Sequence, residues 1–364
     1  MGEILINDAY RRLAIRLDTL PNGFPPTDDG IELALLAHLF TPEEADLAAK
    51  LSFTAQTPAE LAAALGEDPK TLWVMLKNMA KKGLLEVKKI DTGLGYALMP
   101  FVVGFYENQR PLDETLAQLV EAYFKRTFMK VLEVEPQLHR VIPIGETIPV
   151  GIEVQPFESA AALLSQAKAW GVIDCICRQQ KALIGEACGH PIEVCLIYSS
   201  IPGVFDRSDD VRALTYEEAL ATLRMAADAG LVHTVGNHQA EENGYICNCC
   251  TCSCGILRGV AELGMANVVA RAAFVSRIDA DLCISCENCA DYCQFDALAL
   301  DETGIMAVEQ RRCVGCGQCV LHCEQGAIEL VRRPEDEIKP VPATLREWQI
   351  ERAAARGQNF ADIL

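Results

Sequence analysis

No cysteine occurs before Cys175 in this chain of 364 residues, and all seventeen lie between Cys175 and Cys323. Long apolar runs are also missing. Segment 31–40 and a helix expected over 157–170 are the most apolar stretches, yet each carries charge. Neither approaches the roughly 20 uncharged residues of a membrane span. The opening MGEILINDAYRRLAIRLD has no apolar h-region, so no secretory leader is expected. Positive charge is scarce: 32 Lys and Arg against 51 Asp and Glu leave a net charge of −19. A surface that acidic repels a phosphate backbone and an anionic leaflet, which counts against DNA and membrane as partners. No G-x-G-x-x-G or P-loop occurs, and spacing supports no Ser-His-Asp or paired-carboxylate arrangement. No small-molecule substrate is therefore assigned.

Half of the residues are apolar and 23% are charged, the composition of a folded chain. Its length predicts two or three domains. Without a leader or a span the expected location is the cytoplasm, where thiols stay reduced. Seventeen cysteines there argue for metal ligation over disulfides. Their distribution divides the chain. Residues 1–110 are cysteine-free and read as helical, 140–275 hold nine cysteines in two irregular groups, and 277–331 hold eight in a regular array. Residues 332–364 form a charged, Pro-rich linker and a tail helix over about 343–356. With Leu345, Trp348 and Ile350 among charges, that helix would suit partner docking if Trp348 were exposed.

The regular array is an internal repeat at an offset of thirty residues. CISCENCADYCQFDALAL (283–300) aligns without a gap to CVGCGQCVLHCEQGAIEL (313–330), each with the spacing C-x2-C-x2-C-x3-C. A cubane cluster needs thiolates converging from several sides. A tight loop can supply three, while a short following helix sends the fourth to the other cluster. The array resembles the bacterial two-cluster ferredoxin domain. That resemblance implies two [4Fe-4S] clusters, one held by Cys283, Cys286, Cys289 and Cys323, the other by Cys313, Cys316, Cys319 and Cys293. The chain departs from the family after each fourth cysteine, where Gln294 and Glu324 stand in place of proline. Glu324 near a cluster should lower its potential. Zinc, the competing ligand class, does not call for two interleaved quartets.

The nine irregular cysteines are Cys175, Cys177, Cys188 and Cys195 in CICRQQKALIGEACGHPIEVC, then Cys247, Cys249, Cys250, Cys252 and Cys254 in YICNCCTCSCG. Five thiols in eight residues cannot share one face of a helix or strand, so a loop wrapped around metal is expected, with a helix from about Ile256. Nine thiols suffice for one or two further Fe–S clusters, or for one cluster plus redox-active thiols. A zinc site is the other reading. The first four could surround one cluster alone, or Cys177, Cys188 and Cys195 could be joined by one later thiol. His190, His233, His238 and His322 lie near cysteines, and spacing assigns them nothing definite. A capping box at Thr215 and Glu218 opens a helix that stops near Gly230.

Residues 31–97 read as three helices and a hairpin. Thr57, Pro58 and Glu60 open a helix over 58–65, and Asp68 caps the next, over 69–82. Two β-like runs follow around Asp91. This resembles a winged helix-turn-helix domain, in which the second helix of the pair would enter the major groove. That helix holds Lys70, Lys77, Lys81 and Lys82, but across 31–97 seven Lys meet nine Asp and Glu. Protein docking therefore fits the module better than DNA binding. The stretches LAIRLDTLPNGFPPTDDGIELALLAHLFTPEEADLAAKL and MPFVVGFYENQ, with the CICR, CNCC and ferredoxin motifs, resemble a wider family of 4Fe-4S-binding proteins.

The expected fold class is thus multidomain α+β: a winged-helix-like helical module, an α/β Cys-rich middle domain and a two-cluster ferredoxin-like domain. The expected function is single-electron transfer through several [4Fe-4S] clusters to or from a redox partner protein. An electron-transfer component of an oxidoreductase is expected over a stand-alone enzyme with substrate at an incompletely coordinated cluster in 175–254. The alternative is an Fe–S redox-sensing DNA-binding regulator, with sequence-specific binding that follows cluster state.

Overall fold

The computed structural model describes residues 8–149, 154–239, 243–265 and 267–363. The chain divides into two compact units, Met1–Glu135 with Gln349–Leu364 and Pro136–Trp348.

The first unit opens with helices α1 (Asp8–Thr19), α2 (Ile31–Leu39), α3 (Pro42–Ala48), α4 (Pro58–Leu65) and α5 (Pro69–Lys81). The starts of α3 to α5 follow from local chemistry. Thr41 and Thr57 each form a full capping box with Pro at the first helical position, and Asp68 accepts from the Thr71 amide. Helix α5 buries Leu72, Leu76 and Met79 and leaves Trp73 and Val74 exposed. A hairpin of β1 (Leu85–Ile90) and β2 (Gly93–Leu98) follows, then α6 (Glu114–Tyr123) and α7 (Met129–Leu132).

The second unit is built on a six-stranded sheet in the order β3-β7-β8-β5-β4-β6, antiparallel throughout. Its elements run β3 (His139–Val141), α8 (Ala160–Gln166), β4 (Ala169–Asp174), α9 (Ile176–Leu183), β5 (Glu193–Ser199), β6 (Arg212–Leu214), α10 (Tyr216–Asp228), β7 (Val232–Gly236) and β8 (Asn243–Cys249). Helices α8 and α10 bring Leu163, Leu164, Ala219 and Leu223 against Val172, Leu196, Val235 and Ile246 of the sheet. The helix expected over 157–170 is shorter than that. Val172 and Ile173 favour strand, and the Trp170 indole donates to the Leu164 carbonyl (2.8 Å), which ties the start of β4 to α8.

After α11 (Arg258–Leu263), two small sheets frame the cysteine repeat: β9 (Phe274–Ile278) pairs with β12 (Ile328–Arg332), and β10 (Leu298–Leu300) with β11 (Met306–Val308). Between them lie the one-turn helices α12 (Asn288–Asp291) and α13 (Gln318–Leu321). The last long helix is α14 (Leu345–Ala355). Trp348 is buried, its indole donating to the Gln137 carbonyl, so the partner-docking reading of the tail loses the exposed tryptophan it needed. Arg352 is fully buried and donates to the carbonyls of Pro21, Val131 and Val134, closing the first unit around its last segment.

Candidate metal centres

The cysteine repeat is also a conformational repeat. Ser285, Glu287 and Asp296 have left-handed φ of 55°, 63° and 48°, and their counterparts thirty residues on, Gly315, Gly317 and Gly326, have 75°, 81° and 61°. Left-handed residues between cysteines curl the loop so that backbone amides and sulfurs can face one centre. A Cβ on Gly315 would stand 2.1 Å from the Phe274 carbonyl oxygen, so only glycine fits there. In the first copy the non-glycine residues bear the conformational cost. Replacing exposed Glu287 by Gly should therefore stabilise the fold by about 1 kcal/mol, measured as a rise in the urea midpoint.

Both fourth cysteines receive the same backbone donor: Ala297 N–H to Cys293 Sγ and Ala327 N–H to Cys323 Sγ, each 3.3 Å. The residues just before them, Tyr292 and His322, stack with ring centroids 3.5 Å apart. One cavity is lined by Cys293, Cys313, Cys316 and Cys319 together with Ser276, Phe295, Leu298 and Val314. The Ser276 hydroxyl lies 3.1 Å from Cys319 Sγ. The other four thiols converge as well, since Cys289 feels Cys323, Cys283 and Cys286 as its charged neighbours. Burial pushes Cys289 up to about 11 and Cys319 up to about 12, and it raises Cys293 and Cys316 too. Such thiols hold their protons until a metal displaces them. The two quartets differ in exposure. In the first quartet Cys286 is exposed, with Ile284 beside it 64% exposed, and Cys289 is buried; in the second Cys313 and Cys319 are buried and Cys293 and Cys316 half-buried.

In the middle of the second unit the irregular cysteines fall into two groups. Strand alternation builds the first. Leu196 and Ile246 face the helices, so Cys195 on β5 and Cys247 and Cys249 on β8 face the other way. Cys175 caps α9, Cys177 lies in its first turn, and Cys254 follows the turn after β8. Their sulfurs make a closed ring of contacts in the order Cys175, Cys177, Cys254, Cys249, Cys247, Cys195. Hydrogen bonds from Cys177 and Cys195 hold Cys175 well below the usual thiol range, with Arg178 adding to the effect. Hydrogen bonding to Cys175 and then to Cys254, with burial, holds Cys177 well above it. Thr234 on β7 places its hydroxyl 3.4 Å from Cys249 Sγ.

The second group is Cys188, His190, Cys250 and Cys252, whose ligand atoms all lie within 4.8 Å of one another. The hydrogen bond from Cys252 pulls Cys250 down to about 5, with Arg178 contributing. Arg178 is buried between the two groups and donates to the carbonyls of Pro191 (2.9 Å) and Asn248 (2.7 Å). Burial opposes its charge, but Cys175, Cys250, Cys249 and Cys195 outweigh that and hold it protonated more firmly than in water.

The structure thus mixes the two sequence runs, and it seats Cys188 apart from Cys175, Cys177 and Cys195. The first two of the five close-spaced thiols belong to a strand rather than to a loop. His233 lies on the helix-side face of β7, bonded to Asn248 rather than to a thiol. His190 joins the second group and Arg178 lies between the two, placements that spacing did not assign. Both stand beside cysteines, in C-G-H and C-I-C-R, and that adjacency was the available signal.

Gln294, at the family's proline position, reaches the middle sheet. Its amide accepts from Thr251 N–H (2.6 Å) and donates to the Gly230 carbonyl (2.5 Å). Gln318, beside Cys319, donates to the Leu231 carbonyl (2.7 Å). Restoring proline by Gln294→Pro should cost about 1–3 kcal/mol by leaving these backbone groups unpaired, read as a lower denaturation midpoint.

Acid should weaken this unit. Burial first, and then the charge of His238, lowers His139 to about 4. Burial does the same to His233 against the opposing Asn248 bond. Between the ordinary 6.5 and about 4 the unfolded chain takes up protons that the folded chain refuses. Stability contributed by these neutral rings is therefore present above pH 6.5 and lost as pH falls through that window. His139→Gln should flatten the loss by up to about 1.4 kcal/mol per pH unit, seen in urea midpoints across the window.

The family described as a 4Fe-4S dicluster domain matches residues 282–328. These residues form a ferredoxin-like iron–sulfur domain. No curated protein and no solved structure matches the chain. Among the described residues, no helix is long and apolar enough to cross a membrane.

Proposed function

We propose that the protein is a cytoplasmic iron–sulfur electron-transfer component that passes single electrons from a redox partner protein, through two ferredoxin clusters, to the thiol-rich middle site, or in reverse. Cys283, Cys286, Cys289 and Cys323 would hold one [4Fe-4S] cluster. Cys313, Cys316, Cys319 and Cys293 would hold the other. The donor sets fit: four soft thiols each, backbone donors to sulfur, and apolar walls that lower the local dielectric. The clusters, when bound, supply the one-electron chemistry. The chain's own groups set spacing, burial and hydrogen bonding.

The observation that carries this reading is the difference in exposure between the two quartets. The exposed one, with Cys286 and Ile284, is the side on which a partner can approach. The buried one adjoins the middle sheet through Gln294 and Gln318. The ring of six thiols, with Arg178 to offset anionic charge, suits a further Fe–S cluster as the inner terminus. The helix–helix–hairpin of the first unit supports a winged-helix-like module. Its Lys82 pairs with Glu44, and its exposed Trp73 and Val74 suit a protein surface better than a phosphate backbone.

The test is iron, acid-labile sulfide and EPR on anaerobically purified full-length protein. About twelve iron and twelve sulfide per chain, on four per cubane, would support two ferredoxin clusters and an inner one. About eight, on the same count, would confine electron transfer to the ferredoxin domain, and none would overturn the reading.

A further inference from the structure

We infer that Cys188, His190, Cys250 and Cys252 form a separate site for one tetrahedral metal ion of the zinc class, distinct from every iron–sulfur cluster of the chain. The inference goes beyond the electron-transfer reading and does not depend on it. Geometry carries it. With zinc–sulfur bonds of about 2.3 Å and zinc–nitrogen bonds of about 2.0–2.1 Å, the ligand atoms of a tetrahedral site made of three sulfurs and one nitrogen stand roughly 3.6–3.8 Å apart. Cys252 Sγ lies 3.6 Å from His190 Nδ1, and all four ligand atoms fall within 4.8 Å of one another. A single ion needs that mutual convergence. A cubane does not, because it spreads its thiolates over four irons at separate corners. The six-thiol ring next to this site lacks that four-way convergence, each sulfur contacting two neighbours in sequence around a loop.

The surroundings hold the four ligands in place before any ion arrives. Arg178 ties the Pro191 carbonyl, just after His190, to the Asn248 carbonyl, two residues before Cys250. Gln294 holds the Thr251 amide between Cys250 and Cys252, and the Ser253 hydroxyl donates to Cys188 Sγ (3.3 Å). These supporting contacts fix both ligand-bearing segments, as outer-sphere groups do at metal sites. Three thiols and one imidazole are a donor set that zinc accepts. The ion would clasp the loop carrying Cys188 and His190 to the turn carrying Cys250 and Cys252.

The test compares zinc and iron per chain in anaerobically purified wild type, Cys252→Ser, His190→Ala and His190→Cys. Cys252 is exposed, so its replacement should leave the fold intact. About one zinc per chain is expected in wild type and in His190→Cys, which keeps four zinc ligands. Zinc should fall at least tenfold in Cys252→Ser and in His190→Ala, with iron unchanged. Cobalt(II) exchanged for zinc in protein that keeps its iron should enter at about one per chain with a tetrahedral signature in wild type and fall at least tenfold in Cys252→Ser. Loss of iron rather than zinc from Cys252→Ser would overturn the inference, as would wild type that binds neither zinc nor cobalt. Absence of iron from the whole chain would defeat the electron-transfer reading instead, and would leave the zinc stoichiometry to decide this one.

Discussion

Cys286→Ser is expected to abolish one reduced-cluster EPR signal, remove about four iron per chain, and slow electron exchange with a protein partner at least tenfold. Cys316→Ser is expected to remove the same amount of iron but to spare exchange at the surface, cutting only onward transfer. The contrast follows from position. Cys286 is exposed beside Ile284, whereas Cys316 is half-buried and lines a cavity with Cys293, Cys313 and Cys319. Rapid mixing with a reduced ferredoxin, followed by freeze-quench EPR, separates the two variants. Unchanged iron in both would sink the ligand assignment. Identical kinetics in both would sink the order of the two clusters along the path.

Arg178→Met should be the most damaging single change outside the cysteines. Arg178 is 2% exposed, joins two backbone carbonyls and sits among four sulfurs. Methionine fills the space but leaves both carbonyls unpaired and the thiolates uncompensated. Breaking a buried charged arrangement by removing one partner costs about 3–5 kcal/mol. The variant should therefore lose its middle-site metal and unfold at a clearly lower denaturant concentration. Arg178→Lys should rescue it only in part, since one ammonium cannot fork between two carbonyls. A stable, fully metallated Arg178→Met protein would refute the role.

The ferredoxin repeat was legible because its chemistry is local. Four thiols at fixed spacing fold as one loop and one turn of helix, and the thirty-residue offset made the second copy a check on the first. The caps at Thr57, Asp68 and Thr215 were legible for the same reason. The middle site was not, because its thiols meet through sheet pairing. Cys195 reaches Cys247 across β5 and β8, and no spacing within either run encodes that register. Nor could sequence separate Cys249 from Cys250, neighbours that end in different groups because the strand stops between them. Ser285, Glu287 and Asp296 look unremarked in the first copy. Only alignment to three glycines in the second hints at their left-handed backbone.

The first unit is discontinuous: Pro136–Trp348 lies between its two segments along the chain. Arg352 and Arg356, which bind the carbonyls of Pro21, Val131, Val134, Asp18 and Leu20, are made after every cysteine. During synthesis, at roughly 5–20 residues per second, the segment that closes the first unit is the last to be added. Every cysteine is therefore already in the chain before the residues that close the first unit are added, so closure of that unit is the step tied to the end of synthesis.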